Sequence, residues 1–195
     1  MAYINITKMK RLVISPGKEL AIFAWTDASY SNHLIDQKGQ SGILVSLGYN
    51  PNSKAATGFI TASSKKQKIT AQSSAEAEII AQAEVVKWVL WTKFLLEALG
   101  CGSDRSVATI FQDNMSTIQM ANAGHGSFKK SKHINQRFFL IHEHVVETTI
   151  RLEHCPTELM VADILTKPPN GSIFKHLTSL LLNEKESEMN EVMEA

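Results

Sequence analysis

Four acidic residues lie where predicted strands and helices would bring their side chains together. They are Asp27, Glu78, Asp113 and Asp163. Asp27 follows the apolar run Leu20 to Thr26, and Asp113 follows the run Val107 to Phe111, each of which is typical of a buried strand. Carboxylate oxygens are the ligands that hard divalent ions such as Mg²⁺ prefer. Two such ions, roughly 3.5–4 Å apart, can activate a water and stabilise the leaving oxygen when a phosphodiester is hydrolysed.

Three of these acids also have an ordinary structural interpretation. Asp27 could form a turn after its strand. Asp113 could be the N-cap of a following helix, and Asp163 could lie on the solvated face of a helix. Taken singly, each of the three fits the structural role better than a role in chemistry.

The fourth acid, Glu78, is more informative because a neighbour already has a structural role. Ser73 and Glu76 have the spacing of a capping box, in which each side chain binds a free backbone N–H at the start of a helix. Glu78 lies about 200° further round that helix. There it begins an apolar stripe that we expect to face the core, made up of Ala81, Val85, Trp88, Leu95 and Leu99. A carboxylate on that face needs a partner or a metal ion, so Glu78 is preferred to its competitor Glu76.

The remaining pattern predicts the elements that must position these acids. Further strands are predicted at Gly42–Gly48, Thr57–Ala62 and Thr149–His154, with a hairpin loop at residues 49–52. A long helix is predicted from Ser73 to Leu99, ending before Gly100, and a short helix follows Asp113-Asn114 and ends at about Ala123. Three further helices are predicted, over Ile134–Glu147, over Glu158–Thr166 after Pro156, and over Phe174–Leu182. Three strands followed by alternating helices and strands indicate an α/β fold with a mixed sheet.

Composition sets limits on the class of protein. The formal net charge is +1, but residues 184–194 hold five Glu and one Lys, which leaves a mildly basic body and an acidic tail. The two cysteines form no framework, so we expect reduced thiols inside a cell. No secretory signal is apparent, and no stretch approaches the roughly 20 apolar residues of a membrane span. We predict an upstream remnant at 1–18, one domain at 19–182 and a disordered tail at 183–195.

Short blocks around the acids resemble the ribonuclease H domain at the C-terminal end of copia-type (Pseudoviridae-like) retrotransposon Pol polyproteins. The blocks occur in the family's order over roughly Leu20 to Leu182, and the ordered set is far more specific than any one of them. They are Thr26-Asp27-Ala28-Ser29-Tyr30, Ser41-Gly42-Ile43, Ser63-Ser64-Lys65-Lys66-Gln67-Lys68, Ser73-Ser74-Ala75-Glu76-Ala77-Glu78, Gln112-Asp113-Asn114-Met115-Ser116, Ser131-Lys132-His133-Ile134-Asn135 and Ala162-Asp163-Ile164-Leu165-Thr166-Lys167-Pro168.

The resemblance implies a ribonuclease H-like fold, with a mixed five-stranded sheet flanked by helices. It implies that four carboxylates, on Asp27, Glu78, Asp113 and Asp163, act as catalytic and metal-binding residues with two Mg²⁺ ions, or Mn²⁺ in their place. The expected activity is endonucleolytic hydrolysis of the RNA strand of RNA–DNA hybrids during reverse transcription. The alternative is an inactive remnant of the same fold that binds nucleic acid or a polymerase as a scaffold.

Substrate contacts are expected beside the acids. Side chains that could recognise a 2′-OH or hold a phosphate are Ser73, Ser74, Asn114, Ser116, Lys129, Lys130 and Lys132. Many ribonucleases H carry a helper His just before the last Asp, and His154 is the candidate here, although a structural role is favoured for it. The expected partners are an RNA–DNA hybrid and the element's reverse transcriptase, in the cytoplasm or also the nucleus, with no membrane association.

Overall fold

The computed structural model describes residues 10–15, 20–31, 33, 35–51, 55–101, 106–124 and 132–183. The strands are β1 (Phe23–Ser29), β2 (Gln40–Ser46), β3 (Tyr49–Asn50), β4 (Ala55–Ala56), β5 (Phe59–Lys66), β6 (Ala108–Gln112) and β7 (Ile150–His154). The α-helices are α1 (Ser74–Ala98), α2 (Met115–Ala123), α3 (Lys132–Val146) and α4 (Gly171–Leu182). Two 3-10 helices, Thr157–Leu159 and Val161–Leu165, separate β7 from α4.

Five strands form one mixed sheet in the order β5-β2-β1-β6-β7. Strand β1 is central: it pairs antiparallel with β2 and parallel with β6. Strand β5 extends the antiparallel side, and β7 extends the parallel side. The predicted α/β fold with a mixed five-stranded sheet and flanking helices is therefore confirmed.

The sheet separates two apolar cores, because alternate residues of a strand face opposite sides. Ala24 of β1 faces the first core, which α1 covers with residues such as Val85 and Val89. Trp25, the next residue, faces the second core with Phe111 and Met160. The long helix α1 contacts β1, β2 and α3, so it fixes one face of the sheet.

Helix α1 begins as predicted but buries less of its last turns. Ser73 is the N-cap, and its hydroxyl accepts a hydrogen bond from the backbone N–H of Glu76 at 3.2 Å. A capping box predicts that the carboxylate of Glu76 accepts a hydrogen bond from the backbone N–H of the N-cap residue, Ser73. It accepts instead from the N–H of Gln72, one residue earlier, at 2.8 Å. The predicted core stripe is wrong at its end, since Leu95 and Leu99 are 39% and 64% exposed.

Two local predictions are wrong in detail. The segment Glu158–Thr166 is not one α-helix, because Met160 leaves the helical region (φ −76°, ψ 80°) and splits the segment into two 3-10 helices. Met160 is completely buried in the second core, which accounts for the break. The predicted loop at residues 49–52 begins instead as strand β3, which pairs with β4 in a two-stranded ribbon.

The terminal segments lie partly outside the described residues. Val13 donates a backbone hydrogen bond to Leu182 at 3.0 Å, and Ser15 donates one to Thr57 at 2.7 Å. The described part of the predicted upstream remnant therefore lies against the domain. The predicted disordered tail beyond Asn183 is outside the described residues, and the boundaries of all three predicted segments remain predictions.

Among the described residues, neither Cys101 nor Cys155 forms a disulfide bond. Among the helices of these ranges, none combines the length and apolar character that crossing a bilayer requires.

The second 3-10 helix lies so close to β2 that a side chain at Gly42 would not fit. A Cβ atom there would lie 2.7 Å from the carbonyl oxygen of Ala162 and 3.0 Å from the Cβ of Leu165. Ser64 on the neighbouring strand donates a hydrogen bond to the carbonyl of Leu165 at 2.6 Å. Glycine at position 42 thus allows the segment that carries Asp163 to pack directly on the sheet.

We predict that Gly42→Ala lowers stability because the added methyl forces the 3-10 helix away from β2. Overpacking of this kind typically costs about 1–3 kcal/mol, which for a chain of this size is roughly 2–10 °C in the thermal midpoint. The matched control is Gly171→Ala, since nothing lies within 4 Å of a Cβ at that position. An equal midpoint for both variants, measured by circular dichroism, would show that the close approach at Gly42 is not required.

Candidate active site

Parallel pairing of β1 and β6 places the first two acids side by side. Trp25 is paired with Phe111, and each of the two acids follows two residues later on its own chain. Asp27 and Asp113 therefore leave the same edge of the sheet from neighbouring strands. Asp27 lies within β1 rather than after it and is 1% exposed, whereas Asp113 is half-buried directly after β6.

The third acid reaches this edge from the second 3-10 helix. Thr166 links the two acids: its hydroxyl donates a hydrogen bond to the carboxylate of Asp27, and its backbone N–H donates one to the carbonyl of Asp163 at 3.1 Å. Oxygen atoms of Asp27, Asp113 and Asp163 all lie within 4.8 Å of one another. Three carboxylates from distant parts of the sequence thus form a group that could hold a metal ion; it is called the carboxylate cluster below.

Glu78 lies beside this cluster on α1 and is not one of its three members. One of its carboxylate oxygens accepts a hydrogen bond from the side-chain amide of Gln112 at 3.0 Å, and both residues are buried. Its competitor Glu76 is equally buried but is engaged with the backbone at the start of α1. The geometry thus separates a capping glutamate from one that faces the cluster.

Burial and mutual repulsion raise the pKa values of three acids. Burial is the larger cause for Glu78, and the charges of Asp27 and Asp113 add to it, so that the pKa reaches about 8 despite the hydrogen bond from Gln112. Burial and the charge of Asp27 likewise raise the pKa of Asp163 to about 6. The pKa of Asp113 is raised by the same two causes. The site therefore carries more negative charge than the neighbouring groups of the protein neutralise.

One cation compensates part of that charge. The ammonium of Lys167 lies 3.0 Å from Oδ1 of Asp163 and 3.6 Å from Oδ2 of Asp27. Burial lowers the pKa of Lys167, but the attraction of these carboxylates outweighs burial and raises it overall. Thr166, Lys167 and Gln112 lie within the resemblance blocks, but no role is predicted for them from sequence. Their position next to the acids in those blocks is the signal that could have identified them.

The structural interpretations of the three aspartates do not fit the geometry. The N-cap of α2 is Asn114, whose side-chain oxygen accepts a hydrogen bond from the N–H of Thr117 at 3.2 Å, so Asp113 is not the cap. Asp27 is buried inside a strand rather than in a turn. The side chain of Asp163 is only 14% exposed and faces the cluster rather than solvent.

The candidate substrate residues differ in how free their side chains are. The side chains of Ser73 and Asn114 serve as N-caps, while Ser74 and Ser116 are exposed. Lys132 is exposed at the start of α3, and Lys129 and Lys130 lie outside the described residues. The candidate helper His154 is exposed at the end of β7, paired with Gln112, where its charge acts on Asp113.

Comparison with known proteins finds relatives among transposon polyproteins. The chain is 31% identical over 180 residues to the "Retrovirus-related Pol polyprotein from transposon RE1" of Arabidopsis thaliana, which covers 92% of this chain and 12% of the relative. It is 30% identical over 152 residues to the polyprotein from transposon TNT 1-94 of Nicotiana tabacum, with 77% and 10% covered. The chain thus spans only about a tenth of the length of these relatives, and it matches no family model.

Solved structures agree on the fold. An RNase H1 isolated from compost superposes with a TM-score of 0.52 at 16% identity, covering 80% of this chain and 98% of that one. The N-terminal RNase H domain of a Mycobacterium tuberculosis protein gives a TM-score of 0.50 at 10% identity, covering 83% and 99%. The resemblance drawn from the sequence is thereby confirmed. The chain is homologous to a segment of the Pol polyproteins of copia-type retrotransposons, and it has the ribonuclease H fold.

Proposed function

We propose that this chain is a ribonuclease H that hydrolyses the RNA strand of an RNA–DNA hybrid with the help of divalent metal ions. The observation that carries the proposal is the carboxylate cluster, which three separate elements assemble at one edge of a ribonuclease H fold. Asp27, Glu78, Asp113 and Asp163 are the proposed catalytic and metal-binding residues. Homology to retrotransposon Pol polyproteins supports a role in reverse transcription, inside the cell and together with the element's reverse transcriptase.

The donor set fits Mg²⁺, and Mn²⁺ as a substitute. All candidate ligands are carboxylate oxygens, which hard divalent ions prefer over nitrogen or sulfur. The raised pKa values of Glu78, Asp113 and Asp163 are consistent with a site whose negative charge exceeds the positive charge that the protein alone supplies. Asp27, Asp113 and Asp163 would hold the first ion, and Glu78 would complete the binding of a second one.

The protein's own contribution is to fix these oxygens in place. Bound ions would supply an activated water and a stabilised leaving oxygen. Asp27 is held by Thr166 and by its position inside β1, and Glu78 is oriented by Gln112. Asp113 and Asp163 are more accessible than Asp27, so an incoming phosphate would approach the cluster from their side. His154, exposed at the end of β7 and paired with Gln112, would be the candidate helper if one is used, although a structural role is favoured for it.

Selection of a hybrid substrate rests on groups around the cluster. An RNase H1 of the same fold (TM-score 0.50, 15% identity) has been solved in complex with an RNA/DNA hybrid. In this chain, exposed Ser74 and Ser116 are free to contact a 2′-OH, which is the group that distinguishes RNA from DNA. Ser73 and Asn114 would contribute through the helix starts that they cap. Lys129, Lys130 and Lys132 would hold backbone phosphates.

We predict that Asp113→Asn abolishes cleavage, because an amide replaces a ligand of the metal ion while the size of the side chain is kept. A labelled RNA–DNA hybrid incubated with Mg²⁺ should be cleaved by the parent and not after addition of chelator. Loss of one ligand to a catalytic ion should reduce the rate on the order of a hundredfold or more.

The control for this experiment is Glu158→Gln, which neutralises an exposed carboxylate outside the cluster and should cleave like the parent. Cleavage at the parental rate by Asp113→Asn would exclude this residue from the site. A parent that binds the hybrid but never cleaves it with Mg²⁺ or Mn²⁺ would favour the inactive scaffold instead.

A second prediction concerns pH. In chelator, stability should fall as the pH rises between about 4.5 and about 8, because folded Glu78 retains a proton that the unfolded chain has lost. Asp163 adds to the fall between about 3.8 and about 6. Added Mg²⁺ should restore stability, and more so at the alkaline end of this window. The measurement is the thermal midpoint across the window, with and without Mg²⁺.

Two variants identify the group responsible for this pH dependence. Glu78→Gln keeps an acceptor for Gln112 and removes the titration, so the midpoint should vary less with pH, by roughly 5 °C over the window. Glu158→Gln removes an exposed carboxylate outside the cluster and should keep the parental slope. If the Glu78→Gln slope equals that of the parent, Glu78 does not share the charge of the cluster.

A further inference from the structure

Lys167 places a positive charge at the carboxylates that are proposed to bind metal. Its ammonium contacts Oδ1 of Asp163 at 3.0 Å and lies 3.6 Å from Oδ2 of Asp27. Both carboxylates belong to the carboxylate cluster. The lysine therefore contacts the same side chains that a divalent ion would use as ligands.

The backbone of this residue is anchored while its side chain is not enclosed. The N–H groups of Thr166 and Lys167 both donate to the carbonyl of Asp163, at 3.1 and 2.9 Å. The side chain of Lys167 is 43% exposed, in contrast to 2% for that of Asp27. The ammonium can thus leave the cluster by rotation of the side chain, without displacement of the 3-10 helix.

Space for the displaced side chain lies next to the cluster. An open cavity of about 490 Å³ is lined by Thr166 and Lys167 together with His33, Lys38 and Lys66. Lys38 and Lys66 contact the carboxylate of Asp36 at 3.7 and 2.7 Å rather than the cluster. Within the described residues, Lys167 is the lysine that contacts the cluster.

The ammonium of Lys167 compensates part of the negative charge of Asp27 and Asp163. Asp27 is almost completely buried, and burying a carboxylate without a compensating charge or hydrogen bonds is costly. An ammonium and a divalent ion that use the same oxygens compete for them, since each brings positive charge to the same position. Removal of the ammonium should then strengthen metal binding and weaken the protein without metal.

We propose that Lys167 acts as an internal counter-ion of the carboxylate cluster, and that a divalent ion must displace its ammonium in order to bind. The inference rests on the proposed metal-dependent function. It adds that Lys167 adjusts the affinity of the site for metal. The ammonium stabilises the cluster when no metal is bound, and it raises the metal concentration that is needed to fill the site.

The test compares Lys167→Met, which keeps the aliphatic stem and removes the charge, with Lys175→Met, which removes a charge from an exposed position on α4. Binding of Mn²⁺ to the full chain without nucleic acid is measured by isothermal titration calorimetry. We expect Lys167→Met to bind Mn²⁺ about fivefold more tightly than the parent, given the usual strength of a partly exposed ion pair. In chelator it should have a lower thermal midpoint, whereas Lys175→Met should match the parent in both measurements.

A further variant separates charge from packing. Lys167→Arg keeps the positive charge, so its Mn²⁺ affinity should stay near that of the parent. If Lys167→Met binds Mn²⁺ as the parent does, or more weakly, the counter-ion role is overturned, even when the parent cleaves hybrid. A parent that neither binds Mn²⁺ nor cleaves hybrid would instead overturn the proposed function, and the counter-ion role with it.

Discussion

Repulsion among carboxylates at one edge of the sheet is the constraint on which the site depends. Parallel pairing of β1 and β6 brings Asp27 next to Asp113, and the packing of a 3-10 helix on β2 adds Asp163. Three features beside the cluster hold this arrangement: the hydroxyl of Thr166, the ammonium of Lys167 and the lack of a side chain at Gly42. Packing and hydrogen bonds thus hold like charges together against their repulsion, which is the arrangement that a cation-binding site requires.

Much of the fold and the positions of the acids could be predicted from sequence because their signals are local. An apolar run followed by Asp marks the central strand, and the capping box marks the start of α1. The distinction between Glu76 and Glu78 also followed from local rules. Glu76 is engaged at the start of the helix, and Glu78, two residues later, begins the stripe that is expected to face the core. The resemblance blocks then implied a mixed sheet of five strands, whereas the order of those strands is known only from the structure.

Features that depend on tertiary contacts could not be predicted in this way. The split of the segment around Met160 into two 3-10 helices results from burial of that side chain in the second core, which no helix propensity reveals. Leu95 and Leu99 have helical spacing, but within the part of the chain that the structure describes they are 39% and 64% exposed. Lys167 was passed over because its partner Asp27 is 140 residues away in sequence, and only the folded chain brings the two together.

The most direct test of the account is the position of metal ions in crystals of the chain grown with Mn²⁺ and an RNA–DNA hybrid. Anomalous scattering locates Mn²⁺ without reference to any assumed site. The account predicts two peaks roughly 3.5–4 Å apart, one among Asp27, Asp113 and Asp163 and one also bound by Glu78, with the ammonium of Lys167 withdrawn from both. Hybrid bound at this edge of the sheet with no manganese among these carboxylates would contradict it.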